Sequence, residues 1–329
     1  MRRISFGLAL YGTEGAQRGV QLARVAEDFG YQRLWVGDSH MIWRELYVLL
    51  GAIAMVTKRL QIGPGVTHPE VRHLTVTATA MVTLNELSEG RALLGFGVGA
   101  TGPGNIGMKP VSVEQLQTAV TLLKQLMAGE AVQFDGKNAR CVYACPDPIP
   151  IYIGTRSPRA IEMSARLANG IIYTGELSSL QPLVKTAWQY AGEQARSRED
   201  FNVIYRIPCS IADNASEARE AVKGKIARSA MTHLGRLHRQ GELHDEEDRR
   251  AVERLWQQYD TYHHMGPEHS HLVRDEWVDR FAIAGTPDQV REKACAIASA
   301  GVDEITIVPF GSSKESVVKR FAKEVIAKV

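Results

Sequence analysis

The stretch Ala92-Leu93-Leu94-Gly95-Phe96-Gly97-Val98 contains no charged and no polar side chain. An apolar run of this length is typical of a strand buried on both faces, as the strands of parallel sheets are. Amphipathic segments with helical spacing flank it, at residues 75–87 before the run and 113–127 after it. This order predicts strand and helix units that repeat along a parallel sheet.

The same alternation continues toward both ends of the chain. Predicted strands begin at eight positions, namely Ile4, Arg33, Leu60, Ala92, Ile149, Gly170, Asn202 and Glu304. Predicted helices occupy residues 16–29, 47–56, 75–87, 113–127, 158–167, 180–196, 287–300 and 313–329, with another capped by Ser216 and a small β excursion at 132–143. Eight such units predict the α/β class and, within it, a closed (β/α)8 TIM barrel. The alternative, an open doubly wound sheet, needs a GxGxxG turn after its first strand, and Tyr11-Gly12-Thr13-Glu14-Gly15 lacks that pattern.

The composition and charge of the chain restrict the cellular compartment and the classes of partner that we expect. The chain has 329 residues, a net charge of +2 and interspersed charges, which argues against a nucleic-acid partner. Four scattered cysteines indicate a reducing compartment, and the sequence predicts neither a signal peptide nor a membrane span. We therefore expect a cytoplasmic protein of one domain, residues 1–329. Residues 231–275 break the alternation with many charges and most of the ten histidines, so we predict an insertion between strands seven and eight.

In a barrel, ligands bind at the loops that follow the strands. Gly37-Asp38-Ser39-His40 follows the second predicted strand, where His40 could exchange a proton with a bound ring while Asp38 orients it. The alternative is that Asp38 caps a turn and His40 is a solvated loop residue. The sequence alone leaves both interpretations open.

Glycine-rich stretches follow the next three strands. Residues 63–69 predict backbone close to a ligand, although a tight turn would explain the same glycines. Residues 95–104 leave many backbone N–H groups free to approach a planar ring or a phosphate. Residues 154–159 combine small hydroxyls, two arginines and a helix start, which predicts an anion site; the alternative is an ordinary Ser/Thr helix cap with solvent-facing arginines.

No metal site is predicted. Cys141 and Cys145 lack the second pair of ligands that a structural zinc site needs. The histidines of the insertion, His263, His264, His269 and His271, have no regular helical or motif spacing. We interpret this segment as a polar lid over the barrel mouth or as a subunit interface.

Four stretches of the chain carry a family resemblance: LWVGD at 34–38, IGPGVTHPEVRH at 62–73, LNELSEGRA at 84–92 and GFGVG at 95–99. The chain resembles the luciferase-like oxidoreductase superfamily, and within it the branch of the F420-dependent methylenetetrahydromethanopterin reductases. Ile151-Tyr152-Ile153-Gly154 and Gly285-Thr286-Pro287-Asp288 fit as well. The resemblance covers nearly the whole chain and is weakest at 209–275.

The resemblance implies a barrel that holds reduced FMN or, as the alternative, F420. It implies a non-proline cis peptide between Gly65 and Val66 beneath the ring. The implied cofactor-binding residues are Gly65, Val66, Thr67, Gly97, Gly99, Ala100, Thr101, Gly154, Thr155, Arg156, Ser157 and Arg159. Asp38 matches the acidic half of an Asp-His pair, but Ser39 stands in the histidine position and His40 is one residue late. Leu8-Ala9-Leu10 stands where the reductase has a glutamate.

We therefore expect a flavin- or deazaflavin-dependent oxidoreductase of a small organic substrate, built as a homodimer or higher homo-oligomer. The chemistry is either monooxygenation with reduced FMN and O2 or hydride transfer with F420. One alternative is a barrel that binds flavin without turnover. Another is a metal-dependent hydrolase, for which the strand ends carry few ligands: Asp38, His40, His68, His73 and Glu176.

Overall fold

The computed structural model describes residues 4–134, 136–145, 147–263 and 265–329. Contacts divide the chain into two compact units, and we describe each by itself. The first unit contains residues 7–173 and 185–204. Of the described residues, the second contains 4–6, 174–184 and 205–329 except residue 264. The expectation of one domain stays a prediction.

The first unit alternates strands and helices. Its strands are β1 (Ser5–Leu10, which begins in the second unit), β2 (Arg33–Val36), β3 (Gln61–Pro64), β4 (Leu94–Gly97), β5 (Val132–Phe134), β6 (Lys137–Ala139), β7 (Ile151–Gly154) and β8 (Gly170–Tyr173). Its helices are α1 (Ala16–Asp28), α2 (Leu46–Val56), α3 (Leu74–Leu87), α4 (Thr101–Asn105), α5 (Val113–Met127), α6 (Pro158–Leu167) and most of α7 (Leu180–Glu193). β5 and β6 pair antiparallel within the stretch 132–143, where the sequence predicts a small β excursion.

The long strands of this unit run parallel. β1 pairs with β2 and β2 with β3, while β4 pairs with β7 and β7 with β8. Two parallel bridges, Ile62 to Ala92 and Thr67 to Phe96, join the β3 and β4 segments. All carboxyl ends of these six strands therefore lie at one edge of the sheet, where the loops with the predicted site residues begin.

The second unit holds the rest of the predicted barrel and a helical layer. Its strands are β9 (Asn202–Ile211, which begins in the first unit), β10 (Ile283–Gly285) and β11 (Glu304–Pro309). Its helices are α8 (Ala215–Arg239), α9 (Glu246–Gln258), α10 (Asp275–Phe281), α11 (Pro287–Ser299) and α12 (Lys314–Phe321), followed by a π-helical turn at Ala322–Ile326. β10 runs parallel to β9 and pairs with Cys209–Ile211.

All eight predicted strands are present. In the first unit the short helix α4 (Thr101–Asn105) was not predicted and α7 ends three residues before the predicted Arg196; the other differences concern the second unit. The predicted cap at Ser216 is wrong, because α8 starts one residue earlier and the side chain of Asn214 accepts a hydrogen bond from the Ser216 N–H, 2.8 Å. β10 was not predicted, because three residues carry too little pattern. The helical segment between β9 and β10 spans 212–282 and is longer than the predicted 231–275, since α8 continues through Met231 without a break.

Ala218, Val222 and Ile226 recur at helical spacing on α8. They belong to an apolar core that α8 shares with α9 and α10. No helix among the described residues is both long and apolar enough to cross a membrane.

Candidate active site

A buried ion pair joins the loops that follow β2 and β3. Arg72 Nη1 lies 2.6 Å from Asp38 Oδ2, and the Thr67 hydroxyl donates to the same oxygen at 2.6 Å. Arg72 Nη2 reaches Glu45 Oε1 at 2.8 Å. The Asp38 side chain is only 4% exposed, so its charge depends on these donors rather than on water. Arg72 therefore fixes the position of two loops at the carboxyl edge of the sheet.

The electrostatics of Arg72 agree with that role. Burial alone would lower the pKa of Arg72, but Asp38 and Glu45 outweigh burial and raise it. The guanidinium also lies over the ring of Tyr47, 5.3 Å from the ring centre. Burial raises the pKa of that tyrosine, which keeps it neutral. Sequence reasoning missed Arg72, although it stands within the 62–73 stretch that carries the resemblance.

The two histidines near Asp38 differ in their surroundings. His40 is half-buried, and within the described residues Asp38 bonds Arg72 and Thr67 rather than His40. The predicted orientation of His40 by Asp38 is therefore not formed in this structure. His68 is 3% exposed, and neither ring nitrogen has a hydrogen-bond partner within the described residues. Burial lowers the pKa of His68 despite the nearby charge of Asp38.

The glycine-rich loop after β4 packs on His68. A β carbon at Gly102 would lie 3.1 Å from His68 Nε2, and one at Gly99 would lie 3.2 Å from His68 Cγ. Gly99 also has φ +75°, which a residue with a side chain seldom adopts. Ala100 precedes α4, which begins at Thr101. These glycines therefore let the loop approach His68 closely.

The Val66 side chain lies over the ends of β4 and β7. The peptide bond between Gly65 and Val66 is cis, as predicted. β carbons at Gly95, Gly97 and Gly154 would lie 3.2, 3.1 and 3.0 Å from the Val66 methyl groups. Val66 itself is half-buried, so part of it remains accessible at the carboxyl edge of the sheet. These three glycines therefore leave space for the Val66 side chain, which presents an apolar surface at the carboxyl edge of the sheet. We call this surface the Val66 platform.

The predicted phosphate turn lies at the start of α6. Thr155 Oγ1 accepts a hydrogen bond from the Ser157 N–H at 3.0 Å, and Pro158 opens the helix. Arg156 is exposed. Arg159 is exposed too and forms an ion pair with Glu114 of α5. Arg159 would have to leave Glu114 to bind a phosphate, which requires little energy because exposed pairs contribute about 0–1 kcal/mol.

The sequence matches a known family over nearly its whole length. A profile described as luciferase-like monooxygenase matches residues 4–304. The chain belongs to the luciferase-like monooxygenase family.

Two relatives and one solved structure show where this luciferase-like protein stands in the family. It is 30% identical over 319 residues to 5,10-methylenetetrahydromethanopterin reductase of Archaeoglobus fulgidus, covering 93% of this chain and 94% of the relative. It is 25% identical to F420-dependent glucose-6-phosphate dehydrogenase of Beutenbergia cavernae, covering 93% and 91%. The solved structure of coenzyme F420 dependent tetrahydromethanopterin reductase from Methanopyrus kandleri matches with a TM-score of 0.83 and 26% identity over 99% of both chains.

These comparisons confirm the α/β barrel fold and the enzyme class. The luciferase-like protein is a flavin- or deazaflavin-dependent oxidoreductase that acts on a small organic substrate. The two alternatives, a barrel without turnover and a metal-dependent hydrolase, have no counterpart among these three proteins. Which side chains carry the chemistry remains a proposal.

The second unit of the luciferase-like chain contains a buried charge network around Glu176. His233 Nε2 lies 3.2 Å from Glu176 Oε2, and Arg280 Nε lies 2.7 Å from Glu176 Oε1. Arg280 also reaches Asp248 Oδ2 at 2.8 Å, and Asp248 Oδ1 accepts from the Trp277 indole at 2.6 Å. The network ties the segment after β8 to α8, α9 and α10. Sequence reasoning treated Glu176 only as a candidate metal ligand and missed its partners, which lie 57 to 104 residues away along the chain.

Glu176 should make this unit sensitive to acid. Burial alone would raise its pKa, but hydrogen bonds from His233 and Arg280 outweigh burial and hold the pKa at about 2, below the ordinary 4.5. The ionised form therefore contributes stability above pH 4.5, and this contribution disappears as the pH falls toward 2. It amounts to at most about 3 kcal/mol.

Denaturant unfolding of wild type and Glu176→Gln at pH 7 and pH 3 measures this contribution. We expect the variant to lose about 1–3 kcal/mol less than wild type on acidification. The exposed Glu130→Gln is the matched control and should behave as wild type. Equal acid sensitivity of wild type and Glu176→Gln would contradict the assignment.

The histidine-rich segment is held by local contacts. The ring of His269 is buried and stacks on Tyr259 with 4.3 Å between centres, and its Nε2 accepts from the Asp260 N–H at 3.0 Å. His263 Nδ1 lies 2.7 Å from Asp260 Oδ2, while His264 lies outside the described residues. Across the ranges that the structure describes, no three histidine, cysteine or acidic side chains are grouped for a metal. The lid or interface role, and the absence of a metal, stay predictions.

Proposed function

We propose that the protein is an F420-dependent oxidoreductase that transfers a hydride between the deazaflavin and a carbon atom of a small organic substrate. The observation that most supports this proposal is the Val66 platform, which is half-exposed and lies close to Gly95, Gly97 and Gly154. A flat ring fits against such an apolar surface with backbone around it. The names of the two relatives favour F420 over reduced FMN. We therefore place F420 first and keep FMN as the alternative.

The candidate site residues fall into two groups: those that would bind or position the cofactor, and His40, which would exchange a proton with the substrate. Val66 would support the ring, and the turn 154–159 with Arg156 and Arg159 would hold the phosphate at the start of α6. When bound, F420 supplies the hydride chemistry. His40 would hold or release a proton at its imidazole beside the substrate. Asp38, tied to Arg72 and Thr67, would keep the Val66 loop in place.

Cofactor choice can be tested by titrating the purified protein with F420 and, separately, with reduced FMN under anaerobic conditions. We expect F420 to bind at least about tenfold more tightly, a difference of about 1.4 kcal/mol. The spectrum of cofactor released from protein made in its native host provides an independent check. Tight binding of reduced FMN together with oxygen consumption would replace this proposal with a monooxygenase.

The arginines of the phosphate turn should matter for affinity and not for folding. Arg156→Ala and Arg159→Ala should each weaken F420 binding about 10- to 100-fold, because a charge-assisted hydrogen bond contributes about 1.5–3 kcal/mol. Arg166→Ala, an exposed arginine farther along α6 that pairs with Glu162, is the matched control. Fluorescence titration measures the affinities. Unchanged affinity in both variants would mean that the phosphate binds elsewhere.

We further propose that two copies of the chain associate through the outer face of α2 and α3. Val48 is 75% and Met55 62% exposed on α2, a helix without any charged residue. A groove of about 320 Å³ runs along the same two helices, with Gly51 of α2 and Val76 and Ala80 of α3 among its lining residues. Exposed apolar side chains on an uncharged helix, close to a groove, suit association with an identical face related by a two-fold axis.

The oligomer can be tested with one charged substitution. Met55→Glu should convert a dimer into a monomer, because a stable dimer of about 800 Å² per subunit does not tolerate an unpaired buried charge. Light scattering after size-exclusion chromatography measures the mass. Tyr262→Glu, at an exposed aromatic of the second unit, is the control and should leave the mass unchanged. A wild-type monomer, or a Met55→Glu dimer, would contradict the proposal.

A further inference from the structure

The second unit contains a cavity of about 900 Å³. It lies where β9 and β11 end and where α8 and α12 begin, and residues 265–270 close another side. Its volume is at the upper end of the range for sites that hold small organic ligands. The lining is mixed: Phe310, Met265 and Val317 are apolar, and five serines contribute hydroxyl groups, namely Ser210, Ser270, Ser312, Ser313 and Ser316.

Ser210 is the most informative of these serines. It is 2% exposed, and its side chain has no hydrogen-bond partner within the described residues. Its backbone is engaged in the pairing of β9 with β10, so its hydroxyl is left to face the cavity. Because its Oγ opens into the cavity rather than being sealed in the core, it can form a hydrogen bond with a polar group held there, either water or a ligand.

The loop after β11 comes close to this hydroxyl. A β carbon at Gly311 would lie 3.7 Å from Ser210 Oγ and 3.4 Å from a Val317 methyl group. Gly311 has φ +144°, a conformation that disfavours any other residue. The uncommon backbone conformation of Gly311 therefore lies next to Ser210 in the cavity wall.

The charges of the lining argue against a simple ion as the ligand. Asp213 pairs with Arg320 at 2.6 Å, and Glu220 pairs with Lys223 at 2.9 Å. Glu217 adds an acceptor, and the Lys314 ammonium, 5.7 Å from the centre of the Phe310 ring, adds a donor. The lining of the cavity therefore contains both hydrogen-bond donors and hydrogen-bond acceptors, and its net charge is small.

We propose that this cavity binds a polyhydroxylated segment of a ligand, a sugar or a sugar alcohol. Hydroxyl groups are both donors and acceptors, which matches the serines, Glu217 and Lys314. The C–H faces of such a segment can pack on Phe310 and Val317. The proposal does not rest on the identity of the cofactor, since it uses only residues of this cavity.

Calorimetric titration of the full-length protein with ribitol tests the proposal, with pentane-1,5-diol as the matched ligand that lacks the three central hydroxyls. We expect ribitol to bind at least tenfold more tightly than the diol, both with and without saturating F420. Ser210→Ala should weaken ribitol binding about three- to tenfold, because one hydrogen bond is lost. This variant should fold normally, since its hydroxyl has no partner to lose within the described residues. Ser316→Phe, at an exposed position of the wall, should block the cavity.

Lys319→Gln is the control on the same helix; Lys319 pairs with Glu315 and does not line the cavity. It should bind ribitol as wild type does. Four results would overturn the proposal: no saturable ribitol binding, equal binding of ribitol and diol, loss of ribitol binding when F420 is bound, or binding that Ser210→Ala and Ser316→Phe leave unchanged. Inorganic phosphate that binds while ribitol does not would make the cavity an anion site instead. A failure of F420 to bind would affect only the proposed function, because ribitol is also titrated without it.

Discussion

Replacing Arg72 with alanine should lower the free energy of unfolding by about 3–5 kcal/mol, the largest effect on stability that we expect from one substitution. The substitution removes the cation from a carboxylate that is 4% exposed; among the described residues it leaves the buried Asp38 charge with only the Thr67 hydroxyl as a donor. Glu45 loses its partner as well, but it is half-exposed and water can replace the guanidinium. Urea unfolding monitored by circular dichroism measures the loss.

Two further variants separate the charge effect from lost packing on Tyr47. Asp38→Asn combined with Arg72→Ala removes the buried charge, so the double variant should be more stable than Arg72→Ala alone. Arg159→Ala breaks the exposed pair with Glu114 and should cost less than about 1 kcal/mol. If Arg72→Ala is no less stable than Arg159→Ala, the pair does not hold the loops together.

Replacing His40 with alanine should slow turnover about 10²- to 10⁴-fold while changing F420 affinity much less. His40 follows β2, it is half-buried, and its side chain is not held by Asp38 within the described residues, so it is available to a substrate proton. Single-turnover kinetics with prereduced cofactor isolate the chemical step. His271→Ala, an exposed histidine of the second unit, is the matched control and should keep the wild-type rate.

Other side chains near His40 offer the main competing assignments. Ser39 is buried beside it, and His68 is buried with no hydrogen-bond partner in the described ranges, so Ser39→Ala and His68→Gln complete the series. If His40→Ala keeps a rate within about threefold of wild type, His40 is not the proton-exchanging residue. Ser39 or His68 would then be assigned that role. His264, a further candidate from the sequence, lies outside the described residues.

Local chemistry explains why much of the fold could be predicted from the sequence. α6 has the predicted bounds, Pro158–Leu167, and β8 begins at the predicted Gly170, because a proline opens the helix and a glycine separates it from an apolar run. β9 begins at the predicted Asn202 and continues past Pro208 to Ile211, where the pairing of Cys209–Ile211 with β10 extends the strand. That pairing depends on residues more than 70 positions away, which no local pattern contains.

The same distinction applies to the site. The glycines at 63–69, 95–104 and 154–159 could be recognised because closely approaching backbone requires them, and Gly95, Gly97 and Gly154 do lie close to Val66. That a ligand binds beside them stays a prediction. The partner of Asp38 could not, because His40 is near in sequence while Arg72, 34 residues away, is near in space. The same holds for Glu176 with His233 and Arg280, and for the wall around Ser210. Short-range patterns of apolar residues, glycine and proline set where strands and loops occur, whereas the partner of each buried charge depends on which loops the folded sheet brings together.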